Sequence, residues 1–187
     1  GPGEVVGFGL SNDERMGQTS AFSAAFGIAR RAGLAALPHG GELLGPESVR
    51  EVVTSLNPHR LGHGVRTSED LELLDRLIEA GIAFEVCPTS NVHLGVYQDF
   101  GSVQLPLLME RGATIALGAD DPLLFHSRLL EQYANAREVF ALSDPQLADL
   151  ARQSIEASLA SQSSKRRWYA RIEEWVSGEA PVSRFKV

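Results

Sequence analysis

Five short apolar segments alternate with helical segments over residues 1–122, and this alternation restricts the possible folds more than any other feature of the chain. The apolar segments are EVVGFGL, GLAALP, HRLGHGV, IAFEVCP and ATIALGADDP. Between the third and the fourth lies SEDLELLDRLIEAG, which carries Leu71, Leu74, Leu77 and Ile78 at helical spacing. A strand–helix alternation of this kind is typical of βα units on a parallel sheet. The sequence therefore predicts an α/β protein.

The pattern changes after Pro122, where helical segments follow one another without a further strand. The predicted helices cover residues 123–139, 144–159 and about 163–176. No Gly/Ser-rich or Pro-rich linker divides the chain. We therefore expect a single domain over residues 1–187, with βα units over 1–122 and C-terminal helices over 123–187.

Composition excludes several classes of protein. The 187 residues carry a formal net charge of −7, which argues against a broad surface for nucleic acid or an anionic membrane. No apolar run approaches the ~20 residues that span a bilayer. A single cysteine, Cys87, excludes both an intrachain disulfide and a four-cysteine zinc site. These features predict a reduced, cytoplasmic protein.

Polar residues follow all five predicted strands. The strand ends are SNDE, HGGE, GHG, CPTSN and GADDP. In parallel βα architectures, the loops that follow the strands gather at one edge of the sheet, and chemistry collects there. Five such ends in register are difficult to explain as turns, so the sequence predicts a functional site at this edge.

Some of these residues have a structural explanation when each is taken alone. His39 could be a satisfied structural histidine at a strand end. Glu42 could be an acid near a helix N-terminus, where carboxylates are favoured. His63 is harder to explain in this way, because glycines on both sides suit a side chain that projects into a cavity.

Asp120 and Asp121 form an adjacent pair whose side chains point in different directions. One carboxylate could bind a metal while the other contacts substrate, and the alternative is an N-cap pair in front of Pro122. Cys87 also ends a strand, and we expect a structural thiol there because no histidine is adjacent as a partner.

The combination of imidazoles and carboxylates suits zinc hydrolase chemistry. Zinc lowers the pKa of a bound water toward ~7. A glutamic acid in a dry pocket has a raised pKa and could protonate a ring nitrogen. Catalytic zinc sites usually take three protein ligands, however, and one imidazole with one carboxylate is too few.

Four motifs in this order resemble those of the metal-dependent adenosine deaminase family of TIM-barrel amidohydrolases: HGGE, RLGHG, FEVCPTSN and LGADDP. The resemblance extends from about Val5 to Tyr133 and more weakly through the C-terminal helices. It implies a TIM-type (β/α)8 barrel, of which this chain has strands four to eight and a helical tail. It also implies zinc-dependent hydrolytic deamination of a 6-aminopurine, with adenosine, converted to inosine and ammonia, as the first choice.

The resemblance assigns roles to four residues in the reaction. It implies that His39 and Asp120 bind the zinc ion, and that Asp120 also holds the attacking water. Glu42 would protonate purine N1 so that C6 becomes electrophilic. His63 would orient and deprotonate the water that attacks C6.

The resemblance also implies three substrate contacts: Asp121 at purine N7, together with Gly41 and Asn12. Relatives usually carry Ala-Gly-Asp-Glu where this chain has Ser11-Asn12-Asp13-Glu14. This departure leaves free adenine and aminodeoxyfutalosine as alternative substrates.

The family's first barrel strand carries a His-x-His pair that supplies two further zinc ligands. This chain has no such pair, and its remaining histidines are His59, His93 and His126. We therefore expect an N-terminal barrel segment to supply these ligands in cis or in trans, and a homo-oligomer is a further possibility. The alternative is a non-catalytic barrel fragment that donates strands to a complementary segment.

Overall fold

A computed structural model describes residues 5–11 and 13–178 of the chain and has five strands in one sheet. The strands are β1 (Gly7–Leu10), β2 (Ala35–Gly40), β3 (Arg60–His63), β4 (Ala83–Val86) and β5 (Ile115–Leu117). Every pair is parallel, and the order β1-β2-β3-β4-β5 follows the chain. The predicted α/β architecture is confirmed.

Helices connect the strands and continue after β5. The α-helices are α1 (Ser23–Arg31), α2 (Pro46–Leu56), α3 (Leu71–Glu79), α4 (Pro88–His93), α5 (Leu105–Glu110), α6 (Pro122–Phe125), α7 (Leu129–Phe140), α8 (Asp144–Glu156) and α9 (Gln162–Val176). Short 3-10 helices cover Glu14–Met16, Thr19–Phe22, Val65–Glu69 and Phe100–Ser102. No helix within the described ranges is both long enough and apolar enough to cross a membrane.

The core lies between the sheet and the apolar stripes of the helices. It is built around Phe84 and Ile115 on β4 and β5, with branched aliphatic side chains from α2, α3, α5 and α8 packed on them. On α3 the buried leucines are Leu73, Leu74 and Leu77, whereas the predicted stripe began at Leu71. Leu71 is the first residue of that helix and remains exposed.

The first helical segment after β5 is divided in two, where the sequence pattern predicted one helix over 123–139. Helix α6 ends at Phe125, because His126 adopts a left-handed conformation with φ 48°. A residue in that region ends a helix. Helix α7 then begins afresh, with the backbone N–H of Arg128 donating to the Glu131 carboxylate over 2.7 Å.

The sheet is open at both ends within the described part of the chain, because β1 and β5 each pair with one neighbour. Apolar side chains are exposed near both ends. Those near β1 are Val5, Val6 and Phe8, and those following β5 are Leu123, Leu124 and Leu130. Unpaired strand edges and exposed apolar patches are surfaces on which further structure packs.

Truncation of a core leucine tests this assignment of buried and exposed positions. Leu74 is fully buried, and we expect Leu74→Ala to lower the free energy of unfolding by about 2–5 kcal/mol because a cavity remains. Leu130 is 80% exposed, and Leu130→Ala should change it by no more than about 0.5 kcal/mol. Urea denaturation followed by circular dichroism measures both, and equal effects of the two substitutions would contradict the assignment.

Candidate functional site

The ends of β2, β3 and β5 bring four of the predicted side chains together. The rings of His39 and His63 meet edge to face, with their centroids 4.7 Å apart. His63 Nδ1 lies 3.4 Å from Glu42 Oε1, and His63 Nε2 lies 3.9 Å from Asp120 Oδ2. His63 therefore lies at the centre of the group, with a carboxyl group near each ring nitrogen.

Two of these residues have unusual backbone conformations. His63 has φ 61° and Asp120 has φ 56°, both in the left-handed region that few residues other than glycine adopt. Such conformations cost free energy and concentrate at functional sites, where surrounding structure holds them. His63 ends β3 and Asp120 follows β5 by three residues, so each turns the chain where its strand ends.

The glycine before His63 makes room for another side chain of the site. Strands β2 and β3 place Gly62 opposite His39. A Cβ atom on Gly62 would lie 2.3 Å from Cδ2 and 2.9 Å from Nε2 of His39, so the missing side chain makes room for the His39 ring. His63 itself is only 3% exposed, so the glycine does not leave it open to solvent.

A tight turn at Gly41 separates His39 from Glu42. Gly41 has φ +74°, and a Cβ atom there would lie 2.4 Å from Val49 Cγ2 on α2. Glycine is thus required at this position by both its conformation and its packing. The turn carries the Glu42 side chain back to the site, where it is 5% exposed.

Burial shifts the pKa values of Glu42 and His63 in opposite directions, and both shifts favour the uncharged form of the side chain. Burial, followed by repulsion from Asp120, Glu14 and Asp13, raises the pKa of Glu42 to about 7. Burial, followed by the proximity of His39, lowers the pKa of His63 to about 4. Near neutral pH His63 is therefore a neutral imidazole and Glu42 is partly protonated, so their contact is not an ion pair.

The two adjacent aspartates separate as predicted. Asp120 accepts a hydrogen bond from Ser90 Oγ over 2.6 Å and faces His63. Asp121 instead caps α6, where its Oδ1 accepts the backbone N–H groups of Leu123 and Leu124, each over 3.0 Å. Asp121 is therefore the N-cap residue of α6, which was the alternative interpretation of this aspartate. Asn12, a predicted substrate contact, lies outside the described residues.

Helix α4, which follows β4 directly, contributes two residues that the sequence analysis did not place in the site. Ser90 holds Asp120, and Asn91 Nδ2 lies 3.5 Å from His63 Nδ1. Both residues are buried. The signal was present in the polar strand end CPTSN, but only the tertiary structure shows which partners these side chains meet.

The donor atoms partly fit a zinc ion. His39 Nδ1 is buried and has no hydrogen-bond partner among the described residues, an arrangement that is rare unless another group completes it. Donor atoms of His39, Glu42 and His63 lie within 4.8 Å of one another, and Asp120 adjoins this group at His63. Imidazole and carboxylate are suitable zinc ligands. The described residues therefore suit part of a zinc site.

Cys87 is a structural thiol, as expected. Its side chain is buried beside the site, and burial, with repulsion from Asp120 and Glu85, raises its pKa to about 12. A thiol with that pKa stays protonated at neutral pH and is a poor nucleophile.

Comparisons with known proteins agree on one family. Residues 2–175 match the family model described as adenosine deaminase. A Streptomyces virginiae protein, provisionally named adenosine/adenine deaminase, is 53% identical over 174 residues that cover 93% of this chain and 51% of that protein. Adenine deaminase of Agrobacterium fabrum is 40% identical over 168 residues, which cover 90% of this chain and 52% of that protein.

A solved structure has the same fold. The crystal structure of adenine deaminase from Arthrobacter aurescens matches 92% of this chain and 53% of its own, with a TM-score of 0.89 and 30% sequence identity. The chain thus spans about half the length of the relatives that it matches.

Substitution of Gly62 tests whether this glycine makes room for His39. Gly62→Ala should displace the His39 ring and lower the free energy of unfolding by about 1–3 kcal/mol, as overpacking does. The control is Gly27→Ala on α1, where a Cβ atom would have its nearest contact at 3.5 Å and alanine should gain about 1 kcal/mol. Urea denaturation and the NMR shifts of the His39 ring measure both effects. A Gly62→Ala variant with unchanged stability and shifts would contradict this role.

Proposed function

The chain belongs to the adenosine deaminase family, and we propose that it forms the part of a TIM-type barrel that catalyses hydrolytic deamination of a 6-aminopurine. One observation supports this most strongly. A buried carboxylic acid with a pKa of about 7 lies 3.4 Å from a buried imidazole with a pKa of about 4. An acid and a base that coexist uncharged at neutral pH are what proton transfer to a ring and from a water requires.

Glu42 is the proposed proton donor to purine N1. Its carboxyl group stays protonated up to a pH of about 7, and Oε1 has no hydrogen-bond partner among the described residues. Protonation of N1 makes C6 electrophilic. His63, neutral and adjacent, accepts a proton from the water that adds to C6. His63 then passes its proton to the amino nitrogen, the C6–N bond breaks and ammonia leaves. The hydroxyl proton at C6 restores Glu42, and a 6-oxopurine remains.

His39 and Asp120 are the proposed metal ligands on this chain. A zinc ion held there would lower the pKa of water toward ~7 and so favour its attack at neutral pH. Two ligands do not complete a catalytic zinc site, for which three protein ligands are usual. We therefore propose that a further barrel segment supplies the remaining ligands, which agrees with the half-length match to the relatives.

Asp121, Gly41 and Asn12 are the proposed substrate contacts. Asp121 would meet purine N7 from the edge at which Asp120 faces His63, in addition to capping α6. Gly41 borders the turn that carries Glu42. A cavity of about 230 Å³ lies beside His39, is also lined by Ser11, Asp13 and Phe22 among others, and would receive the remainder of the substrate.

Two substrates are proposed in order. Adenosine is the first, following the family as a whole. Free adenine is the second, because the matched proteins of Agrobacterium fabrum and Arthrobacter aurescens carry the name adenine deaminase. Both present the same 6-aminopurine ring to Glu42, so only the contacts on the sugar side would differ.

Ammonia release tests the proposal directly. The complete reading frame that contains this chain, loaded with zinc, should release ammonia from adenosine or adenine, and aminodeoxyfutalosine serves as a third compound. Glu42→Gln keeps the side-chain volume but cannot donate the acidic proton, so turnover should fall by about 10²–10⁴ while zinc content is retained. No release from any compound by a folded, zinc-loaded protein would exclude 6-aminopurine deamination. Turnover by Glu42→Gln within a few-fold of wild type would exclude the proton-donor role.

The pH dependence follows from the state of Glu42. The carboxyl donates a proton only while it is protonated, and burial extends that range from its ordinary value of 4.5 to about 7. We therefore expect kcat/KM to fall as the pH rises through about 7. The residual activity of Glu42→Gln should lack this alkaline decrease. An unchanged decrease in that variant would assign it to another group.

A further inference from the structure

The carboxylate of Glu14 binds the turn that carries Glu42. Its Oε1 accepts the backbone N–H groups of Glu42 over 2.5 Å and Leu43 over 2.9 Å. Its Oε2 accepts the N–H of Gly41 over 3.2 Å and the hydroxyl of Ser48 over 2.6 Å. Glu14 belongs to the loop after β1, 27 to 34 positions away in the chain from these partners.

This arrangement is more specific than an ordinary surface contact. The left-handed conformation of Gly41 turns three successive N–H groups toward one point and so forms a concave site for an anion. A carboxylate there satisfies all three donors with charge-assisted hydrogen bonds. A second contact, from the Ser20 N–H to Glu51 on α2 over 2.9 Å, also joins the β1 loop to this part of the fold.

The side chain of Glu42 depends on this backbone for its position. Its Oε1 is buried and has no hydrogen-bond partner among the described residues, so side-chain hydrogen bonds to that atom do not orient it. Only the rotations within the Glu42 side chain lie between its acid group and the backbone N–H that Glu14 binds. A shift of the turn would therefore move the acid relative to His63, which is 3.4 Å away.

We propose that Glu14 is a positioning residue for Glu42: it binds the Gly41–Leu43 turn and thereby sets the distance of the Glu42 acid from the reacting ring. This inference rests on the proposed function of Glu42. Displacement of a catalytic group by ~1 Å can cost up to about 10²-fold in rate. Loss of the Glu14 carboxylate should thus affect the chemical step more than substrate binding.

Two measurements on the complete protein test the proposal. Glu14→Ala should accelerate hydrogen exchange of the Gly41, Glu42 and Leu43 amides and lower kcat by about 10- to 100-fold, with KM within about threefold. Glu14→Gln keeps one oxygen acceptor for the Glu42 and Leu43 amides and should restore most of the protection and of kcat. The control is Asp99→Ala, which removes a carboxylate that accepts the Ser102 N–H over 2.9 Å in another turn and should change neither quantity at the site.

The outcomes separate the two proposals. Unchanged exchange in Glu14→Ala would overturn the contact, and faster exchange with unchanged kcat would overturn the positioning role. A raised KM with unchanged kcat would overturn it also, by assigning Glu14 to binding. If the wild-type protein released no ammonia from any of the three compounds, the proposed function would fail, and the positioning role of Glu14 would fail with it. Faster exchange in Glu14→Ala would still support the hydrogen bonds between Glu14 and the turn.

Discussion

Parallel pairing of five consecutive strands is the constraint on which the candidate site depends. Because the strands run in one direction and in chain order, the ends of β2, β3 and β5 meet at one edge. His39, Glu42, His63 and Asp120 are far apart in the sequence and reach each other only through this arrangement. The register is equally important: His39 lies opposite Gly62, the residue type that leaves space for its ring. A shift of the β2–β3 register would place a side chain where that ring now lies.

Removal from water determines the charge state of the site. Glu42 and His63 are both buried, and burial disfavours the charged form of each, so an acid and a base stand 3.4 Å apart without forming an ion pair. The negative charge of the region is carried instead at its margin. The carboxylate of Glu14 is satisfied by backbone amides, and that of Asp120 is partly satisfied by Ser90. The Glu14 carboxylate, which accepts hydrogen bonds from three amides and a hydroxyl, thus contrasts with Glu42 Oε1 and His39 Nδ1, which have no hydrogen-bond partner among the described residues.

The sequence predicted the fold and the principal side chains for a physical reason. Strand–helix periodicity and polar strand ends are local patterns, and they were sufficient to place His39, Glu42, His63 and Asp120 at one edge. Other features depend on contacts between distant segments and have no local signature. Among these are the hydrogen bonds from the Gly41 turn to Glu14 and the contacts of Ser90 and Asn91. The break at His126 was missed because helical periodicity continues across it, and only the backbone shows the left-handed residue.

The agreement between sheet order and chain order has a consequence for how the molecule is made. Each strand pairs with the next one along the chain, so each βα unit can dock on its predecessor as soon as both have left the ribosome. Contacts of this kind are close in sequence and carry a small loop-closure cost. Growth of the sheet from β1 to β5 therefore has only a small cost in chain entropy at each step. Closure of the proposed barrel would be different, because β5 would pair with a strand of the further segment and not with its neighbour in this chain.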